Sequence, residues 1–190
     1  MTTILKIGGS LESDRARLRA LLAEVAQGVH GRCIVVPGGG AFAEAVRAAQ
    51  IRDGFDDAEA HRRALDAMGR MAAFFCDLEP RLVRSVEPWA DTATASVWDP
   101  ASLRAGQPEI PESWDVTSDS LALWLAARLR ARRCVLVKSA DAASEETPDA
   151  LARRELVDAA FPTFAQRYGG PIAIWGPTRR VTLQQQRVAA

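Results

Sequence analysis

Short apolar runs alternate with longer stretches of helical periodicity along this chain, and that alternation limits the folds open to it. TILKI at Thr3–Ile7, CIVV at Cys33–Val36, CVLV at Cys134–Val137 and PIAIW at Pro171–Trp175 read as buried strands. Between them, residues 14–27 place Leu18, Leu21, Leu22 and Val25 at helical spacing. Residues 41–50 do the same with Phe42, Ala45, Val46 and Ala49, and residues 56–79 with Leu65, Met68, Ala72 and Phe75. Ser96–Trp98 reads as a short strand before a Pro-rich stretch at Pro100–Pro111. Thr117 or Ser118 caps a helix running to about Arg130, with Leu121, Leu125 and Leu129 along one side. Residues 142–154 are polar and loop-like with room for a short helix, and Pro162 suits the first turn of a helix over 161–168. Strands alternating with helices imply βαβ units. The expected class is α/β, a three-layer α/β/α sandwich with a mainly parallel central sheet, as one domain over residues 1–190.

Composition narrows the function classes. Lys+Arg and Asp+Glu are both 24 in 190 residues, so the basic excess of a nucleic-acid binder is missing. No run approaches the ~20 apolar residues of a membrane span. The opening MTTILKIGGSLESDR lacks the basic and apolar regions of a signal peptide, so a cytoplasmic protein is expected. Cys33, Cys76 and Cys134 are odd in number and form no CxxC, so buried reduced thiols are expected rather than disulfides. With only His30 and His61 beside them, a Cys/His zinc site is not expected.

Two glycine loops follow strands and lead into helices: Lys6-Ile7-Gly8-Gly9-Ser10 and Pro37-Gly38-Gly39-Gly40. Glycine lets backbone approach a ligand closely, and successive amides at a helix start attract anions. Lys6 adds a positive charge at the end of the first strand. A single such loop is more often a tight turn. Two of them, one opened by a lysine, describe a phosphate cradle. The spacing is not GxxxxGK[ST], and Gly38–Ala43 is not GxGxxG, so neither a P-loop nor a dinucleotide fingerprint is present.

Asp119 falls in the first turn of the helix opened by WDVTSDS, where simple capping and charge complementarity would account for it. The alternative is an Asp that orients phosphate-binding lysines. Lys138 ends the CVLV strand and is followed by Ser139 and Asp141. Lys6 and Lys138 are the chain's only lysines, and both end buried-looking strands. A compact ammonium on a flexible stem suits a phosphate in motion. Trp89, Trp98 and Trp114 are open to two readings, the wall of a pocket or core packing.

KIGGSL, VVPGGG and VTSDSLA, followed by a strand and an Asp-bearing loop, resemble the amino acid kinase superfamily. PGGGAFAEAVR, AHRRALDAM, WDVTSDSLALWLA, LVDAAFPTF and IWGPTRRV are similar, more narrowly, to furanmethyl phosphate kinases of methanofuran-type one-carbon carrier biosynthesis. The resemblance implies phosphoryl transfer from ATP, with Mg²⁺, to a small phosphate monoester, and a homo-oligomer. It gives Lys6, Asp119 and Lys138 catalytic roles. Gly8, Gly9, Ser10, Ser139 and Asp141 fall on the nucleotide side. Gly38, Gly39, Gly40, His61 and Ser118 fall on the acceptor side, with Arg62 or Arg63 nearby. A packed or solvated helix position is the plainer account of His61. Two positions depart from the pattern. The late Gly-Met-x-x-Lys lysine is missing from FPTFAQRYGG, which leaves Arg167 or Lys138 to replace it, or a binding subunit without catalysis. The usual Asp-Gly reads Asp141-Ala142. An acceptor such as isopentenyl phosphate or a carboxylate is a further alternative.

Overall fold

The computed structural model describes residues 1–90 and 93–183. A seven-stranded sheet in the order β3-β4-β2-β1-β5-β6-β7 runs through it. The strands are β1 (Thr3–Ile7), β2 (Cys33–Pro37), β3 (Val83–Ser85), β4 (Ala95–Trp98), β5 (Arg133–Val137), β6 (Ile172–Trp175) and β7 (Arg180–Thr182). All pair in parallel except β7, which runs antiparallel to β6. The helices are α1 (Arg15–Ala26), α2 (Gly40–Asp53), α3 (Asp57–Leu78), α4 (Ser118–Arg128), α5 (Pro148–Arg153) and α6 (Phe161–Tyr168). The α/β class and the mainly parallel sheet agree with the alternation in the sequence.

Side chains alternate across a strand, so each strand feeds two cores. Leu5, Ile7, Val35 and Val137 pack with Leu18 and Leu22 of α1 and Met71 and Phe75 of α3. Ile4, Ile34, Val36 and Leu136 pack with Leu121 and Leu125 of α4 and Phe161 and Phe164 of α6. The same parity directs Lys6 and Lys138 to the α4 face. In the β1–β5 register Lys6 lies opposite Leu136, so Lys138 projects one side-chain repeat further along the same face.

Several details differ from the sequence reading. The short strands β3 and β7 are additional; each has only three residues and lies at a sheet edge, mostly exposed, so no apolar period marks it. A 3-10 turn over Gly9–Ser13 separates the first glycine loop from α1, and another spans Pro100–Ala105. Cys33 and Cys134 are buried, but Cys76 is half-buried, on the flank of α3. Trp98 is a core residue stacked on Trp124, whereas Trp114 reaches the cleft described below. Among the described residues no helix is long and apolar enough to cross a membrane.

Candidate functional site

The carboxyl ends of β1, β2 and β5 bring three loops together, where α/β sheets place their ligands. Gly8 N donates to Val137 O at 3.1 Å, and Gly38 N donates to Ile7 O at 2.8 Å. Ser10 Oγ donates to Ser139 Oγ at 3.2 Å. The two glycine loops touch backbone to backbone: a Cβ on Gly9 would stand 2.3 Å from Gly40 Cα, and one on Gly38 would stand 2.5 Å from Gly9 N. Gly40 also has φ +52, a conformation that L side chains rarely adopt.

Beside this floor, Asp119 stands between the two lysines. Its Oδ1 lies 2.8 Å from Lys6 Nζ, and its Oδ2 accepts from Lys138 Nζ at 2.6 Å. All three residues are buried. Burial opposes ionisation of Asp119, but the ammoniums of Lys138 and Lys6 prevail and hold its carboxyl at about 2. Burial, with repulsion from Lys6, lowers Lys138 to about 8 against the pull of Asp119. Two cations share one anion, so the site keeps a positive charge that an incoming phosphate can balance.

The other expected residues divide. Arg167 is not at this cluster: its guanidinium donates to Glu109 O at 3.0 Å and lies over the Phe164 ring. Lys138 is the second cation beside Asp119. The Asp141 carboxylate is engaged elsewhere in the protein. It accepts from Thr178 N at 3.0 Å, Arg179 N at 2.9 Å and Thr178 Oγ1 at 2.5 Å, and so pins the β6–β7 turn. Arg62 pairs with Glu112 and Glu59, and Arg63 with Glu59.

A cleft of about 730 Å³ opens from the glycine floor along α2 and α3. Gly9, Ser10, Gly38, Gly39 and Gly40 line one end, and His61 and Ser118 line its wall. His61 is buried, and its Nδ1 is 3.3 Å from Ser113 O. A carbonyl only accepts, so Nδ1 carries the proton and Nε2 stays the basic nitrogen. Burial lowers the His61 pKa, which favours the neutral ring.

Two further parts of the site have no local signature in the sequence, the Arg47 partner of Trp114 and the distant cap of α4. Arg47 of α2 lies 3.8 Å over the Trp114 ring, and both line the cleft. Trp114 Nε1 donates to Gln50 Oε1 at 2.7 Å, and Gln50 Nε2 donates to Asp57 Oδ1 at 2.8 Å, which fixes the indole. The start of α4 is capped from a distance. Thr117 occupies the cap position without a side-chain cap bond, and Asp158 accepts from the amides of Thr117 and Ser120 instead.

Comparison with known proteins gives the same architecture. Residues 1–86 match the amino acid kinase family. The [5-(aminomethyl)furan-3-yl]methyl phosphate kinase of Methanocaldococcus jannaschii is 24% identical over 76% of this chain and 69% of its own length. The uridylate kinase of Archaeoglobus fulgidus superposes with a TM-score of 0.68 at 18% identity, over 97% of this chain and 92% of that one. The chain therefore has the fold of these kinases, and its first 86 residues match the amino acid kinase family. The UMP kinase of Ureaplasma parvum shares the fold at a TM-score of 0.64 and 11% identity, over 97% of this chain and 99% of that one. Within this shared fold, the lysine pair of the present chain lies at the carboxyl edge of the central strands β1 and β5.

Proposed function

We propose that this chain is an amino acid kinase superfamily member that transfers the γ-phosphoryl of ATP to a small phosphate monoester, with (aminomethyl)furanmethyl phosphate of methanofuran-type biosynthesis as the acceptor, and that residues 1–190 act as one domain. The observation that carries the reading is the buried pair Lys6 and Lys138 sharing Asp119 beside two interlocked glycine loops. Phosphoryl transfer asks a protein mainly for positioning and neutralisation of charge. A phosphate monoester has its second pKa near ~6, so its oxygen is already anionic at neutral pH and needs no general base.

In the proposed step an acceptor oxygen forms a bond to the γ-phosphorus while the bond to the β–γ bridging oxygen breaks. ADP leaves with that electron pair, and no proton moves. Lys6 and Lys138 stabilise charge on the transferring oxygens, and Asp119 holds both in place. The cradle suits polyphosphate, since Gly8 sets main chain with no side chain beside the Lys6 ammonium, where a Cβ would stand 3.6 Å from Nζ. Among the described residues no group of three or more His, Cys, Asp or Glu could cage a metal, so Mg²⁺ would arrive on the nucleotide phosphates and help neutralise them. The acceptor would lie in the cleft between the glycine floor and the Arg47–Trp114 stack.

The test is a purified-protein assay with ATP and a panel of phosphate monoesters. ADP and a diphosphate should form with the furan compound, and Lys6→Ala should lower kcat by about 10²–10³-fold with the fold intact. ATP binding without ADP release on any phosphate monoester would remove the catalytic reading. The resemblance also implies a dimer or larger assembly, which sedimentation would read directly.

A further inference from the structure

Asp158 lies between α5 and α6, and its carboxylate faces the first turn of α4. Oδ2 accepts from Thr117 N at 2.9 Å, Thr117 Oγ1 at 2.8 Å and Ser120 N at 3.0 Å. Oδ1 accepts from Ser120 Oγ at 2.5 Å. These four bonds take hold of residues 117 and 120, on either side of Asp119. The turn is thereby clamped, and the Asp119 side chain leaves it in a fixed direction, toward Lys6 and Lys138.

Capping alone does not call for an acid here. A local Ser, Thr or Asn accepts the same amides at little cost. Asp158 is half-buried and lies within the field of Asp119, and burial and that field raise its pKa. A second carboxylate behind the first is electrostatically unfavourable, so its charge is tolerated for what the bonds accomplish.

We propose that Asp158 is a positioning residue of the phosphoryl-transfer site, which clamps the first turn of α4 so that Asp119 engages both lysines. Its rate consequence rests on the kinase reading above; its effect on the lysine pair does not.

The chain has only two lysines, so protein labelled with ¹³C-lysine shows two side-chain sets, both from the site. Lys138 faces Asp119 from α4 and Lys6 from β1, and it should titrate near 8 in the wild type. Asp158→Ala removes both the charge and the clamp. Asp158→Asn removes the charge but keeps an acceptor for the amides and a partner for Ser120 Oγ. Thr117→Val with Ser120→Ala keeps the charge and cuts two bonds.

If Asp158 positions, the Lys138 midpoint falls by about one unit or more in Asp158→Ala and by less than half that in Asp158→Asn. The Thr117→Val/Ser120→Ala pair also lowers it, and carries the same test should Asp158→Ala not fold. In the kinase assay Asp158→Ala should lower kcat by about 10–100-fold with both KM values within about threefold, and Asp158→Asn should recover part of the loss. Equal midpoints in the Ala and Asn variants, or an unmoved midpoint in the Thr117/Ser120 pair, would overturn the proposal in favour of a pure charge effect. A wild type that releases no ADP would count against the kinase reading, while the titration would still judge the clamp.

Discussion

The Lys138 ammonium donates to Oδ2 of Asp119 at 2.6 Å, in a place that water scarcely reaches. The same carboxylate faces Lys6 with its other oxygen. A single buried anion therefore bridges two buried cations.

Removing that anion should cost stability. Asp119→Ala leaves two ammoniums facing each other without a counter-charge, and a broken buried pair costs about 3–5 kcal/mol. Urea unfolding should show that loss. Inorganic phosphate or ATP should restore part of it, because an anion that binds only the folded state stabilises it. A variant as stable as the wild type would argue against a functional charge triad.

The pH profile follows from the same pair. Lys138 carries its proton below about 8 and loses it above, so kcat/KM should fall as pH rises through that value. The acceptor phosphate gains its second charge near ~6, so kcat/KM should rise through that region. Asp119, held at about 2, stays ionised throughout and adds no acid limb in the working range. A profile flat to pH 10 would exclude Lys138 from the reacting charge.

Gly9→Ala should separate the two glycine loops. Its Cβ would meet Gly40 Cα at 2.3 Å, backbone against backbone, so neither side can yield by a rotamer change. Overpacking of this kind costs about 1–3 kcal/mol, and activity should fall far more than the melting temperature suggests. Assay and thermal melt on one preparation would check this.

Arg47→Ala should act on the acceptor alone. The guanidinium stacks on Trp114 at 3.8 Å in the cleft wall, away from the lysine pair. Acceptor KM should rise about tenfold, which corresponds to a cation–π and polar contact of ~1–2 kcal/mol, while ATP KM stays put. Steady-state kinetics with each substrate varied in turn would read it.

Much of this geometry is written in local pattern. Strand parity places Lys6 with Ile4 and Lys138 with Leu136, so two lysines at strand ends emerge on one face without any long-range information. Asp119 in the opening turn of α4 needs only a helix laid over that face. What stayed hidden depends on contacts distant in sequence. Asp158 caps α4 across 38 residues at Ser120, and nothing near Thr117 signals that its own hydroxyl will donate rather than cap. The resemblance puts Asp141 on the nucleotide side, and no local pattern shows that its carboxylate also closes the turn at Thr178, 37 residues away. Arg167 and Lys138 could not be told apart as replacements until the strand and helix carrying them were placed. Edge strands such as β3 and β7 escape because three exposed residues carry no period.

The contact between Gly9 and Gly40 has a consequence for any attempt to redirect this protein to another substrate. The floor of the proposed phosphate site is built from two loops without room for a single methyl between them, so neither loop can be rewritten without the other. Retargeting must begin on the walls, at Arg47, His61 and Trp114, where side chains and not main chain set the shape.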